Sequence, residues 1–499
     1  MQAVKPRKKS LFVFLTILVV LLGACIRLYD LSDAPLDFHP TRQLHSALMA
    51  RGMYYQRTSE DSTKALQAVE QWKLEGLIEP PIMEWLTAFG YRLVGAVDLR
   101  IPRLIAIAFW LCAAVLLAVT IKDQQNEKAA LIGIAFFLFY PYGIIASRSF
   151  QPETLLVFFL AFFLLALLQW EEKRTWVWAV FAGLLGGLAI FVKTVAVFFI
   201  AGMWLGWLLS EKNWKIAFKN TRLWVALVLT VLPYGLYLMY GLWVNTGLAG
   251  QFSLRFFPSL WTDIAFYLRW LSNLRRVISI AWLAAGLLGI LLMEKKSTRN
   301  ILLGALLGYI LLGFTLPHHI STHDYYHLPL FLFVAFGVSS LFYALWGWIK
   351  TKGLIIQIAS CLILCALFGV YAMDARSTFN KEDYRPEVLY WEELGALFQP
   401  QDKVVALSQD YSYRLTYWGW IIPRNWPNLD DIALRQTAGL DVDLEDYFVD
   451  YTYGYDYFLV TDYEELARQP QLAEWLHQNF ALVSDASDYS LYDLNQPVP

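Results

Sequence analysis

The segment Leu36–Tyr55, LDFHPTRQLHSALMARGMYY, is rich in polar side chains although the chain as a whole is 58% hydrophobic. It follows the first apolar run, Leu11–Ile26, and opens a polar interval that extends to about residue 100. A carboxylate beside cations at a membrane surface can act as a base next to an anionic leaving group, although loops also collect polar residues simply because water reaches them. The candidate reactive side chains of this segment are Asp37, His39, Arg42, Gln43 and His45.

The composition is that of an integral membrane protein, because only 16% of the residues are charged against roughly 25% in soluble proteins. The charges are unevenly distributed. From Asp374 to the end there are 23 Asp and Glu but eight Lys and Arg, whereas the earlier part is basic. We therefore predict two domains, residues 1–373 and 374–499. The acidic tail excludes nucleic acid as its partner, since phosphate binding needs a basic surface.

Eleven apolar runs predict a polytopic helical protein, since about 20 residues cross a bilayer. Lys and Arg concentrate in alternate loops, which places the N-terminus in the cytoplasm and the tail on the extracytoplasmic side. Lys193 should divide the stretch 176–210 into two helices, because a lysine at mid-membrane is costly. Short inter-span loops favour a bacterial plasma membrane. The predicted spans are 11–26, 101–121, 129–146, 153–170, 176–192, 194–210, 223–243, 277–293, 300–317, 328–349 and 353–373.

Outside the spans, two regions have their own secondary-structure signals. The first outer loop, residues 27–100, should contain an amphipathic helix after Pro80 and Pro81, because the apolar residues from Ile82 to Leu93 follow helical spacing. Such a helix can lie in the headgroup layer among membrane lipids. The tail is predicted to be a small α/β domain, with a helix over 463–479 and strands near 403–408, 457–461, 480–484 and 490–492.

Two short motifs stand in the first outer loop: Ala47-Leu48-Met49-Ala50-Arg51 and Pro80-Pro81-Ile82-Met83-Glu84-Trp85-Leu86. Their order and spacing resemble those of the GT-C superfamily of membrane glycosyltransferases, specifically the dolichyl-phosphate-mannose protein mannosyltransferase and lipid A aminoarabinose transferase group. The resemblance covers most of the membrane part. It implies an enzyme that moves a sugar from a polyprenyl-phosphate-linked donor to a hydroxyl of a lipid, glycan or protein acceptor at the extracytoplasmic face.

The chain departs from this family at the expected base. The family normally carries an Asp-Glu pair shortly before the Ala-x-x-Ala-Arg element, often after Phe-His-Pro. Here Phe38-His39-Pro40 is followed by Thr41-Arg42-Gln43, and the nearest carboxylate, Asp37, lies upstream. Asp37 is our candidate for the base, with His39 or Glu153 in support. A different base and a loss of activity both remain open.

Other polar positions resemble family elements that hold the donor. Arg148 and Glu153 resemble an Arg-x-x-x-x-Asp element, and Lys193 resembles a Thr-Lys-Gly turn. The alternatives are a structural ion pair between Arg148 and Glu153, a lysine that reaches the interface, and an anchoring belt of aromatic residues. The residues expected to contact the phosphate and the sugar are Arg42, Arg148, Lys193, Arg255, His323, Tyr325 and Tyr326.

His319, His323 and His327 are spaced so that a helix would bring them together as metal ligands. The segment shows no helical pattern and is predicted to be a loop, so we expect no metal site there. The four cysteines lie in or beside apolar runs, which supports neither a disulfide framework nor a zinc site, and no cofactor is expected. Two other functions stay open: a transporter or lipid flippase, although no internal repeat is evident, and an inactive partner subunit.

Overall fold

The computed structural model describes residues 7–58, 62–76, 79–211, 215, 218–243, 256–437 and 444–497. The described chain is mostly helical, with one small mixed sheet near its C-terminus. It divides into two compact units. We call Met1–Ser32, Gly76–Thr87 and Arg100–Glu382 the membrane unit, and Asp33–Glu75, Ala88–Leu99 and Asp383–Pro499 the polar unit.

A helix lies at each of the eleven positions predicted for the membrane unit. Among the described residues, seven helices are long and apolar enough to cross a bilayer, and one bent pair would make an eighth span. The chain is therefore an integral membrane protein. The helices of this unit are Arg7–Leu28, Arg100–Gln124, Glu127–Phe139, Pro141–Ala146, Glu153–Lys173, Trp176–Val192, Ala196–Leu208, Thr221–Trp243, Ile264–Ile278, Ile280–Leu291, Lys296–Thr315, Pro317–Thr322, Leu330–Ile349 and Leu354–Lys381.

The span predicted at 277–293 is shorter than expected and is preceded by a second helix. Ile264–Ile278 and Ile280–Leu291 meet at an angle of 81°. Ser279 stands at the bend with φ 53°, a left-handed conformation that ends a right-handed helix. The sequence predicted an outer loop over 244–276 because charged residues interrupt the apolar pattern of Ile264–Ile278, which is amphipathic rather than uniformly apolar.

Two membrane helices, Ala196–Leu208 and Lys296–Thr315, pack with their backbones in contact. A Cβ atom placed on Gly202 would lie 2.1 Å from the carbonyl oxygen of Gly304, and one on Gly304 would lie 2.0 Å from that of Gly202. Small residues drive this kind of packing in membranes, where lipid tails compete equally for large apolar side chains. The approach therefore depends on glycine at both positions.

Gly202→Ala is expected to lower the stability of the membrane unit by about 1–3 kcal/mol, the usual cost of overpacking. Thermal unfolding of the purified full chain in detergent measures it. The matched control is Gly347→Ala in Leu330–Ile349, where a Cβ would meet nothing within 4 Å. That variant should be unchanged or slightly more stable, because alanine favours helix. Equal melting temperatures for the two variants would contradict the packing argument.

The polar unit contains a five-stranded sheet with strands β1 Val404–Leu407, β2 Arg424–Asn425, β3 Tyr457–Val460, β4 Phe480–Asp485 and β5 Ser490–Pro497. Their order in the sheet is β2-β1-β3-β5-β4. β1 pairs in parallel with β2 and with β3, while β5 runs antiparallel to β3 and β4. Buried apolar side chains, among them Val405, Phe458 and Leu476, form its core.

The small α/β domain predicted for the tail is thus confirmed, with one correction. The helix expected over 463–479 is two helices, because Pro470 starts the second one and cannot donate a backbone hydrogen bond to the first. The predicted domain boundary at residue 373 stays a prediction. It falls inside the helix Leu354–Lys381. Other helices of the unit are Pro40–Tyr55, Thr63–Leu74, Arg385–Gly395, Tyr413–Trp418, Leu429–Thr437, Leu444–Thr452, Tyr463–Arg468 and Pro470–Asn479.

The amphipathic helix predicted after Pro81 is present as Ile82–Val94. Its side chains Trp85, Phe89 and Leu93 are all more than half exposed. These are residues of the predicted apolar stripe, so most of the stripe does not pack against the described part of the chain. An exposed apolar face on a helix suits the headgroup layer of a membrane.

Candidate functional site

The membrane unit holds a buried lysine between two carboxylates. Lys193 follows Trp176–Val192 and is 3% exposed, and Glu153, the first residue of Glu153–Lys173, is 1% exposed. The Lys193 ammonium is in direct contact with Glu153 Oε1, and its Nζ lies 3.6 Å from Glu79 Oε1. Charges within a membrane protein are tolerated when they pair in this way. The three groups together carry a formal charge of −1.

Two tyrosines complete this cluster. The rings of Tyr325 and Tyr326 are buried, and each ring centroid lies 4.8 Å from Lys193 Nζ. The ammonium thus faces both aromatic rings at cation–π distance. We call Glu79, Glu153, Lys193, Tyr325 and Tyr326 the lysine cluster. Sequence reasoning named four of these five residues and missed Glu79, whose only local signal is its place directly before Pro80-Pro81.

The histidine segment beside the tyrosines is helical. Pro317–Thr322 is a short α-helix and Asp324–His327 is a 3-10 turn, so the predicted loop was wrong. Proline at the first helical position explains the helix start. The His323 ring centroid lies 5.4 Å from that of Tyr325, which places this predicted contact residue next to the lysine cluster.

His327 has a different environment from His323. Its Nδ1 lies 2.7 Å from the hydroxyl of Tyr309, and the side chain is fully buried. Burial lowers the pKa of His327 to about 4, so the ring is neutral near pH 7. A neutral imidazole offers one donor and one acceptor, and His327 therefore supplies no positive charge for a phosphate.

The predicted contact residue Arg148 lies outside the lysine cluster. Arg148 donates to the backbone carbonyls of Tyr29 and Asp30 at 2.8 Å each, and its guanidinium lies 4.0 Å from the ring centroid of Phe379. These contacts fix the end of the first helix, so a structural role is evident and substrate binding stays a prediction. In the structure, Glu153 forms its ion pair with Lys193 and not with Arg148, as the alternative had suggested. Arg255 lies outside the described residues.

In the polar unit, Gln43 organises the candidate reactive loop. Its amide donates to the carbonyl of Phe38 at 2.7 Å and to Asp37 Oδ1 at 3.4 Å. His39 has φ 46° and precedes Pro40, so the chain turns sharply into Pro40–Tyr55. Asp37 is half-buried beside this turn. The structure therefore brings Asp37, His39 and Gln43 together, and their catalytic role stays a prediction.

His45 joins a polar network that the sequence did not indicate. Its Nδ1 lies 2.7 Å from Glu75 Oε2 and 3.2 Å from the Tyr413 hydroxyl, and that hydroxyl donates to Glu75 at 2.8 Å. Burial, reinforced by the Glu75 carboxylate, raises the pKa of Tyr413, so the phenol stays protonated and acts as a donor. The positive charge of Arg42 acts on the same phenol in the opposite direction.

The arginine of the Ala-x-x-Ala-Arg motif is a structural anchor. Arg51 donates to the carbonyl of Tyr417 and to Gln71 Oε1, both at 2.6 Å. Its guanidinium also faces the rings of Tyr417 and Trp420, at 4.3 and 3.9 Å from their centroids. Burial lowers the pKa of Arg51, and these hydrogen bonds and ring contacts replace part of the lost hydration. A planar guanidinium can donate from both terminal nitrogens while it stacks on aromatic rings, which a lysine ammonium does not do.

Comparison with known proteins agrees with the resemblance seen in the sequence. The family model described as dolichyl-phosphate-mannose-protein mannosyltransferase matches residues 78–240, about a third of the chain. This range includes Glu79, Glu153 and Lys193. A search of curated protein sequences finds no match.

Solved structures match over nearly the whole chain. ArnT from Cupriavidus metallidurans bound to undecaprenyl phosphate has a TM-score of 0.61 and 16% sequence identity, with 97% of each chain covered. The same protein in the apo state has a TM-score of 0.58 and 15% identity, with 98% of each chain covered.

A more distant match is the oligosaccharyltransferase AglB from Archaeoglobus fulgidus, in complex with an inhibitory peptide and a dolichol-phosphate. Its TM-score is 0.54 at 12% identity, covering 98% of this chain and 74% of that one. At these identities the likeness concerns the fold. The chain shares the fold of these two proteins, in agreement with the GT-C resemblance of its motifs.

Proposed function

We propose that this chain is a membrane glycosyltransferase that moves a sugar from a polyprenyl-phosphate-linked donor to an acceptor hydroxyl at the extracytoplasmic face. The observation that carries the proposal is the lysine cluster, set in a fold whose neighbours bind undecaprenyl phosphate or a dolichol-phosphate. A buried ammonium beside aromatic rings suits a lipid-linked phosphate sugar, because the ammonium binds phosphate as a point charge and the rings offer an apolar surface to the sugar.

In this mechanism the donor phosphate competes with Glu153 for Lys193. The acceptor oxygen attacks the anomeric carbon, the new C–O bond forms with inversion, and the bond to the phosphate oxygen breaks. The electron pair of that bond leaves with the polyprenyl phosphate, and the proton of the acceptor hydroxyl goes to the base. Asp37 is proposed as this base, with His39 or Glu153 in support. Arg42, Arg148, Arg255 and His323 are proposed as further donor contacts.

The test is incubation of the purified full chain with a panel of radiolabelled polyprenyl-phosphate sugars and membrane extracts as acceptors. We expect one labelled sugar to appear in a new product with release of the unlabelled carrier phosphate. Matched liposomes without an acceptor measure movement of the donor across the bilayer. Donor movement with no glycosidic product would replace the proposal with the transporter alternative. If the chain neither transferred a sugar nor moved any donor of the panel, an inactive partner subunit would be favoured.

A further inference from the structure

We propose that the polar unit contains a binding site for a neutral carbohydrate, in a cleft beside the carboxyl ends of β1 and β3. The proposal does not depend on the transfer reaction. The cleft has a volume of about 380 Å³, which lies in the range of small-molecule sites. Gln409 follows β1 and Thr461 follows β3, and both line the cleft. Ligands of open α/β sheets commonly bind at this edge of parallel strands.

The charges of the cleft disfavour an anionic ligand. Arg414 lines it, but its guanidinium is already paired with Glu387 and with Asp410, whose Oδ2 lies 2.6 Å from Arg414 Nε. Asp488 also lines the cleft and is exposed, and its carboxylate makes no hydrogen bond or ion pair with the described residues. Carboxylates that face such a cleft are acceptors only, so they suit a ligand with many hydroxyl donors.

The cleft also contains the aromatic surface that a sugar ring needs. Tyr390, Trp391 and Tyr463 line it, and the rings of Tyr390 and Trp391 meet edge to face at 4.9 Å. Trp391 is buried and supports the ring of Tyr390, so the accessible aromatic surface comes from Tyr390, which is half-buried, and Tyr463, which is exposed. Aromatic faces pack against the C–H faces of pyranoses while polar groups take the hydroxyls.

The rim of the cleft is rigid before any ligand binds. Thr461 Oγ1 donates to Gln409 Oε1 at 2.7 Å, and Gln409 Nε2 donates to the carbonyl of Thr461 at 2.9 Å. Next to this pair, Asp410, Tyr411 and Ser412 have φ of 52°, 56° and 60°. Three consecutive left-handed residues without glycine are strained, and such strain concentrates at ligand sites. The turn holds Asp410 in place to orient Arg414.

The test is saturation-transfer NMR and calorimetry on the full chain in detergent, with the methyl glycosides of mannose, glucose, galactose and N-acetylglucosamine as probes. We expect at least one to bind, and Asp488→Ala to weaken it at least tenfold. Glu474→Ala is the matched control, an exposed carboxylate on Pro470–Asn479, and should leave binding unchanged. A lysine-rich peptide is tested as well, because the carboxylates of the cleft could instead bind a basic peptide.

Three results would overturn the proposal: binding of the peptide but of no glycoside, binding of neither, or equal loss in the two variants. These results do not bear on the proposed transfer reaction. That reaction is tested separately, by assaying the wild-type chain with polyprenyl-phosphate sugars.

Discussion

Lys193→Ala should lower the free energy of unfolding of the membrane unit by about 3–5 kcal/mol, the cost of removing one partner of a buried ion pair. The reason is that Glu153, 1% exposed, would lose the ammonium that contacts it. Transfer from the polyprenyl-phosphate donor should also be lost, since Lys193 is the proposed contact of the phosphate. Thermal unfolding in detergent and the labelled-sugar assay measure the two effects.

The double variant Lys193→Met with Glu153→Gln separates stability from function. It replaces both charges with neutral side chains of similar size, a change that is often close to neutral for buried pairs. We expect it to recover most of the stability lost in Lys193→Ala while transfer stays absent. If the double variant transferred sugar normally, the phosphate role of Lys193 would be wrong. If it were no more stable than the single variant, the ion pair would not be the cause.

The sequence predicted those parts of the fold that depend on local pattern. Among the described residues, hydropathy located the uniformly apolar membrane helices but not the amphipathic Ile264–Ile278, because an apolar stretch in lipid has to satisfy its backbone hydrogen bonds within itself. The cost of a lysine at mid-membrane correctly placed the break at Lys193. Alternation and β-branched residues likewise located the buried strands Val404–Leu407 and Tyr457–Val460, whose side chains fill one core.

What the sequence did not predict depends on contacts between distant residues. Glu79 lies near Lys193 although more than a hundred residues separate them, and Glu75 meets Tyr413 over a still larger separation. Hydropathy does not encode such pairings. The bend at Ser279 was missed for a different reason. Ser279 has a positive φ, but serine also occurs within helices, so the residue type alone does not signal a bend. Lys193 and the two tyrosines were predicted as donor contacts from the resemblance to a family. Composition alone would not have indicated that they lie together.

Asp37→Asn should reduce transfer by about 100-fold to 10,000-fold, the usual contribution of a general base. The amide keeps the shape of the side chain but does not accept the proton of the acceptor hydroxyl. Folding should be unaffected, because Gln43 holds the loop mainly through the carbonyl of Phe38, at 2.7 Å, and meets Asp37 only at 3.4 Å. The initial rate of labelled product formation measures the effect, with the melting temperature recorded on the same preparation.

Asp33→Asn is the matched control for this prediction, because it makes the same chemical change in the same loop. Asp33 is buried and accepts hydrogen bonds from the backbone N–H groups of Ala34 and Tyr384 at 2.8 and 3.0 Å. An asparagine oxygen still accepts both, so this variant should keep its transfer rate. Equal loss in the two variants would point to a general disturbance of the loop. Undiminished transfer in Asp37→Asn would assign the base to another residue, and Glu153 would then be the first to test, since it is the other carboxylate that the family resemblance selects.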